Sequence, residues 1–350
     1  MLKTLHLTHF RSYEALDLEL SAQVLLILGP NATGKTNILE AMYVAATGRS
    51  FRGDDHELIA HGEPAFRIEA IYDTERIAIT YQEQPAKRKA IQREAVRIAR
   101  GTLLGLHPVV LFEPNDLALL AGTPERRRRY LDFVLAQTNL HYRRALQQYK
   151  RLLRQRNALL WRNKREPIVG LDDQLFILET QLAEPAESLS VWRAEFLDVL
   201  SGRVQAIVHR IAQRSHELEL EFIEKSSDIM TRYSQQRQRD IALGTTSAGP
   251  HREDWAVHFD GHSLNTTASR GEVRTTLLAL KLAELEYLRE NSDGATPLLL
   301  LDDVFSELDE ARRRYLIQEL QDVQTIITST DIDRRLRLPA QTLDLTRPTI

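Results

Sequence analysis

Apolar residues change their spacing several times along the chain, and each change marks an element. Near the start, Leu5 and Leu7, then Leu16, Leu18 and Leu20, alternate with polar neighbours in the two-residue period of half-buried strands. Phe66 to Tyr72 and Arg76 to Tyr81 repeat the pattern, as does Trp255 to Phe259. Two runs, Val24-Leu25-Leu26-Ile27-Leu28 and Leu298-Leu299-Leu300-Leu301, are apolar without alternation, as strands covered on both faces should be, and Gln324 to Thr328 predicts a further strand. From residue 142 the spacing lengthens. Tyr142, Leu146, Tyr149, Leu153 and Leu160 form one apolar helical seam, and Leu175, Leu178, Leu182, Leu189, Trp192 and Phe196 form a second. A helix from about 139 to 163 would be ~37 Å long. Pro167-Ile168-Val169-Gly170 marks the turn that follows it, and Pro185 interrupts or restarts the returning helix. The pattern therefore predicts an α/β domain in two pieces, residues 1–115 and 235–350, with an antiparallel helical lobe, residues 116–234, inserted between them.

Composition narrows the class. A chain of 350 residues with 43% hydrophobic and 27% charged side chains reads as a soluble globular protein large enough for two domains. It has no cysteine, which excludes disulfides and thiolate zinc sites. No secretory leader is visible and nowhere do 18 apolar residues run together, so a cytoplasmic protein without membrane contact is expected. The net charge of −3 conceals an asymmetry: between Glu125 and Glu166 there are thirteen Lys or Arg against three acids. Arg143, Lys150 and Arg154 fall on one stripe of the long helix, with Arg144 and Arg151 beside it. Such a row suits the phosphates of duplex DNA, and equally a solvated face or an acidic protein partner.

Candidate chemistry begins at Gly29-Pro30-Asn31-Ala32-Thr33-Gly34-Lys35-Thr36, which follows an apolar strand and precedes a helical stretch. The glycines let backbone N–H groups turn inward around phosphate at a helix N-terminus, Lys35 reaches the β- and γ-phosphates of ATP, and Thr36 ligates Mg²⁺. The second half of the site, Asp302-Asp303, ends the second fully apolar strand. In a phosphate-loop protein the first acid holds Mg²⁺ and the next orients or deprotonates the attacking water, which assigns Asp302 and Asp303 those roles. About thirty residues earlier, Ser269-Arg270-Gly271-Glu272 opens an amphipathic helix. It reads either as an ordinary N-cap or as a second anion site, with Ser269 and Gly271 capping the nucleotide of another copy in a head-to-tail homodimer.

With these sit His9-Phe10-Arg11-Ser12-Tyr13, Gly48-Arg49-Ser50-Phe51-Arg52, Val110-Leu111-Phe112-Glu113-Pro114-Asn115-Asp116-Leu117, Arg154-Gln155-Arg156-Asn157, Ser247-Ala248-Gly249-Pro250-His251-Arg252 and Asp302-Asp303-Val304-Phe305-Ser306-Glu307. In this order they resemble the RecF family, in the structural-maintenance-of-chromosomes-like branch of the ABC-type ATPases. The resemblance implies an ABC-type P-loop ATPase head with a mixed sheet and an inserted, mainly helical lobe. It adds Arg11 to the ATP-binding residues, and places Glu113 where such ATPases carry a glutamine that senses metal and water. Asp303 then stands where a glutamate is usual, and Thr330 where a histidine is usual, so slow hydrolysis is expected. The resemblance further implies a weak, DNA-stimulated ATPase of repair, recombination, replication restart and the SOS response. It would engage gapped or junction DNA as an ATP-bound dimer and work with RecO and RecR to load RecA. Two other readings stay open: an ABC-type subunit acting on something other than DNA, and a nucleotide-gated scaffold.

Overall fold

Strand pairing sorts the predicted elements into three sheets in the computed structural model, which describes residues 1–212, 216–223, 228–264, 268–330 and 340–346. In chain order the strands are β1 (Leu2–Phe10), β2 (Tyr13–Glu19), β3 (Val24–Leu28), β4 (Ala65–Tyr72), β5 (Arg76–Gln82), β6 (Arg88–Arg93) and β7 (Val96–Arg97). There follow β8 (Val109–Phe112), β9 (Leu218–Ile223), β10 (Asp254–Phe259), β11 (His262–Ser263), β12 (Leu298–Asp302), β13 (Thr325–Ser329) and β14 (Ala340–Asp344). The chain divides into two compact units, Met1–Asp116 with Leu280–Ile350, and Leu117–Ala279.

The first unit holds two sheets whose pairing follows their residue patterns. The alternating strands lie in an antiparallel sheet in the order β2-β1-β4-β5-β6-β7, and the continuously apolar β3, β12 and β8 join β13 and the more polar β14 in a parallel sheet in the order β14-β3-β13-β12-β8. Helix Lys35–Thr47 packs against strands of both. Ile38, Leu39, Ala41, Met42, Val44, Ala45 and Ala46 are all buried on it, so it is covered on nearly every side rather than along one stripe. That burial fixes the helix start, and with it the phosphate loop, against the ends of β3, β12 and β13.

The second unit is built on helices Leu140–Arg165 and Leu171–Ala212, which run alongside each other and are joined through Gly170 at φ 70°. Asn139 caps the first, its side chain accepting from the Tyr142 amide at 3.0 Å. Helix Leu171–Ala212 passes through Pro185 without a break, so the expected interruption is absent. The buried seam of Leu140–Arg165 is Tyr142, Tyr149, Leu152, Arg156 and Leu160. Arg156 is fully buried: it donates to Asp240 at 2.8 Å, Thr246 at 2.8 Å and Glu179 at 2.7 Å, joining this helix to Leu171–Ala212 and to helix Ile229–Leu243. The unit also carries an antiparallel sheet in the order β11-β10-β9, which packs on helix Leu171–Ala212. The second unit runs on to Ala279, past the 234/235 boundary read from the pattern, and β10 within it pairs with β9. Among the described residues no helix is long and apolar enough to cross a membrane.

Candidate functional site

The phosphate loop runs from the end of β3 to the first residue of helix Lys35–Thr47, and its glycines are there for steric reasons. Gly34 lies at φ 96°, and a Cβ on it would stand 2.7 Å from Tyr13 Oη and 3.0 Å from Ser12 Oγ. A Cβ on Gly29 would meet Thr33 Oγ1 at 2.8 Å. Ala32 is also left-handed, at φ 66°, and Thr33 Oγ1 closes the turn by donating to the Pro30 carbonyl at 2.9 Å. Lys35 folds back over this loop, its Nζ donating to the carbonyls of Gly29 at 2.6 Å and Pro30 at 2.7 Å. Asn31 lines the same opening.

The acidic strand end faces that loop. Asp302 is 9% exposed at the end of β12, and its carboxylate accepts from Thr36 Oγ1 at 2.9 and 3.1 Å and from Thr328 Oγ1 at 2.8 Å. The next residue, Asp303, takes φ 52°, and its backbone N–H donates to Thr328 Oγ1 at 3.0 Å. Burial, reinforced by the neighbouring Asp302 charge, raises the Asp303 carboxyl above its ordinary range. Its Oδ1 is buried with no hydrogen-bond partner among the described residues. Lys35, Thr36, Arg52, Asp302, Asp303 and Thr328 share an open cavity of about 370 Å³. Thr36 and Asp302 are the residues able to hold a hard divalent cation, a hydroxyl and a carboxylate already side by side. Among the described residues there is no cluster of three or more acidic, imidazole or thiol ligands.

The remaining predicted residues are placed less directly. Arg11 makes a two-pronged pair with the fully buried Glu40, at 2.9 Å on both prongs, and donates to the Glu57 carbonyl at 2.8 Å. Arg52, which the sequence did not mark as a site residue, shares Glu40 and donates to Asn37 at 2.8 Å on the cavity wall. Glu113 follows β8, where its backbone N–H donates to Asp116 Oδ2 at 2.9 Å; neighbouring Pro114 lines the cavity. Ser269 is the N-cap of helix Arg270–Asn291 in a reciprocal box with Glu272: the Ser269 amide donates to Oε2 at 2.7 Å and the Glu272 amide to Ser269 Oγ at 3.3 Å. Gly271 lies in the first turn of that helix. On the long helix, Arg143 is half-buried and donates to the Ala136 carbonyl at 2.8 Å, and Lys150 pairs with Asp132 at 3.2 Å. Arg154 is exposed, as are Arg144 and Arg151, and none of the three has an ion-pair partner among the described residues. His251 is a satisfied turn residue, with Nδ1 2.6 Å from Tyr149 Oη and Nε2 3.1 Å from the Thr246 carbonyl. The sequence shows Arg52 only within the Gly48–Arg52 motif and Thr328 only as a strand end, because it is loop packing and strand register that bring them to the site.

A strand, a phosphate loop and a helix facing an aspartate at the end of a neighbouring parallel strand, with a helical insertion between the two halves, define a P-loop ATPase head of the ABC type. A family model described as an AAA domain matches residues 4–327. The DNA replication and repair protein RecF of Agathobacter rectalis is 37% identical over 340 residues, covering 95% of this chain and 93% of that protein. Its namesake from an Exiguobacterium species is 36% identical over 349 residues, with the same coverage. A solved structure of the recombination mediator protein RecF-ATPrS in the RecFOR pathway superposes with a TM-score of 0.87 at 32% identity, over 95% of this chain and 93% of that one. An Smc head domain from Pyrococcus furiosus shares the fold, with a TM-score of 0.54 at 17% identity over 94% of this chain and 89% of that one. The chain belongs to the RecF family.

Proposed function

We propose that this protein is a slow, Mg²⁺-dependent, DNA-stimulated ATPase of recombinational repair and replication restart. Bound ATP joins two copies into a dimer that engages duplex, gapped or junction DNA. The observation that carries the reading is the hydrogen-bonded chain Thr36–Asp302–Thr328–Asp303, which sets a hydroxyl and two carboxylates beside the phosphate loop. ATP phosphates would take the inward N–H groups of the loop, and Lys35 would exchange its two carbonyl bonds for the β- and γ-phosphates. Mg²⁺ between Thr36 and Asp302 would supply charge neutralisation across those phosphates. Asp303, with an unpartnered oxygen and a raised proton affinity, would orient the attacking water and accept its proton, while Glu113 would steady that water or the metal from the end of β8.

The names of the relatives support the DNA-repair setting, and the relative solved as RecF-ATPrS supports the nucleotide. RecO, RecR and RecA as working partners, and a cytoplasmic location, are part of the proposal, carried over from the family resemblance. In the dimer, Ser269 and Gly271 of a second copy would cap each nucleotide. DNA would lie along the arm helix, Leu140–Arg165, on Arg154 and the exposed Arg144 and Arg151, because Arg143 and Lys150 are held by Ala136 and Asp132. Sedimentation with Mg-ATP, with and without duplex DNA, together with turnover under the same conditions, tests the reading. Dimerisation on ATP, DNA binding and faster turnover on DNA are expected. ATP binding without turnover would favour the scaffold, and turnover indifferent to DNA an ABC-type subunit acting elsewhere.

A further inference from the structure

Thr328 is the last wholly buried residue of β13, following the apolar pair Ile326-Ile327, and a hydroxyl at such a position must find partners. Parallel register puts it directly beside Asp302, the residue paired with it on β12. Its Oγ1 donates to Asp302 Oδ1 at 2.8 Å and accepts the Asp303 backbone N–H at 3.0 Å. A hydroxyl carries one proton, so the direction of both bonds is fixed: the backbone amide can only donate, and the Thr328 proton goes to the carboxylate. That amide belongs to a residue at φ 52°, a conformation that costs an ordinary side chain roughly 1 kcal/mol or more and persists only where the surroundings impose it.

We propose that Thr328 is a positioning residue for the ATPase reaction, its one hydroxyl fixing the carboxylate of Asp302 and the backbone of Asp303 so that the two acids are set as a unit. The inference rests on the reading that these aspartates serve Mg²⁺ and the attacking water. With Oδ1 of Asp302 held from the β13 side, the carboxylate keeps its face toward Thr36. With the Asp303 amide held by the same atom, the Asp303 side chain leaves the strand in the left-handed turn that opens helix Val304–Glu307. Thr36 approaches Asp302 from the phosphate loop and Thr328 from the sheet, so losing one leaves the other in place, which separates their effects.

Thr328→Val keeps the shape and removes the hydroxyl, while Thr328→Ser keeps the hydroxyl. The midpoint for Mg²⁺ is read from the rise in melting temperature on titrating the ion into protein saturated with a non-hydrolysable ATP analogue; binding of a fluorescent ATP analogue in EDTA and kcat are measured beside it. For the valine variant we expect the Mg²⁺ midpoint to rise by about 10-fold or more and kcat to fall by a similar factor, the scale typical of lost support to a metal ligand. Nucleotide affinity in EDTA should stay at the wild-type value, and serine should restore both losses. Wild-type Mg²⁺ midpoint and kcat in the valine variant, failure of serine to rescue, or loss of nucleotide binding in EDTA would each overturn the assignment. If the valine variant does not fold, Thr328→Cys, similar in size with a weak donor, takes its place with the same expectations. A wild-type protein without Mg²⁺-dependent turnover would instead defeat the proposed function, an outcome seen before any variant is made.

Discussion

Lys35 commits two of its three N–H donors to loop carbonyls, so its charge is positioned over the phosphate loop but held by its own backbone. Lys35→Ala should weaken ATP binding roughly 10- to 100-fold, the scale of one charged hydrogen-bonding group, and abolish ATP-dependent dimers. Asp303→Asn should leave ATP affinity unchanged and lower turnover by about 10²- to 10⁴-fold, trapping the dimer, as measured by nucleotide titration and phosphate release. Wild-type turnover in that variant would remove Asp303 from its role. His251 makes a different prediction. Burial first, with Arg252 and Arg128 nearby, lowers its pKa from 6.5 to about 4 against the opposing bond to Thr246. A folded-state value below the unfolded one means the unfolded chain takes the proton first, so the stability His251 contributes is complete above pH 6.5 and is lost as pH falls toward 4. The loss is at most about 3 kcal/mol. Urea midpoints of wild type and His251→Gln should therefore converge between about pH 7 and pH 5; a constant gap would mean that His251 titrates normally. At this scale the phosphate loop and the two aspartates were legible because their spacing is local. The place of Arg52 and Thr328 at the site was not, although one stands in the Gly48–Arg52 motif and the other in a predicted strand, since one depends on how a loop folds over Glu40 and the other on which strand lies beside β12.

Among the elements, the arm helix was legible almost to its ends, residues 139 to 163 against Leu140–Arg165, because its apolar period is long and its cap is a plain Asn. What the period concealed was a cation within the seam. Arg156 counts as polar in any pattern, yet its forked guanidinium reaches Glu179 and Asp240 on two other helices at once. Arg156→Met should cost about 3 to 5 kcal/mol by leaving Asp240 buried without a cation and Glu179 with Arg237 alone, and Arg156→Lys should not restore it, because an ammonium lacks the fork. Chemical unfolding followed by tryptophan fluorescence measures both, and a loss below about 1 kcal/mol would contradict the clasp. Of the sheet of β9, β10 and β11, β10 was legible by its alternation while β9 was hidden: Leu218 falls where the preceding helical period would continue, and only pairing with β10 reveals the strand. Pro185 was misleading in the opposite direction. A helix held along its length by packing tolerates one missing N–H that would end an isolated helix.

At the level of the whole molecule the predictions concern other molecules. Ser269→Arg should spare ATP binding by the single chain and abolish ATP-dependent dimers in sedimentation, because bulk would occupy the place of the opposing γ-phosphate; dimers of wild-type strength would leave Ser269 as a helix cap and nothing more. Replacing Arg144, Arg151 and Arg154 with Glu should weaken duplex binding across unrelated sequences and flatten the salt dependence by about 0.9 logarithmic units for each phosphate no longer neutralised. Fluorescent-duplex titrations at two salt concentrations decide it, and an unchanged slope would move DNA off the arm. The order β14-β3-β13-β12-β8 also bears on how the chain is made. On a ribosome, β3 and β8 emerge early, but the strands that belong between them, β13 and β12, come almost two hundred residues later. For most of translation the nascent chain carries apolar strand edges with no neighbour, while the arm, built mostly from contiguous sequence, can already fold. Synthesis thus finishes the nucleotide-binding half last, and a message truncated before Leu298 would yield an arm attached to aggregation-prone strands and no ATPase.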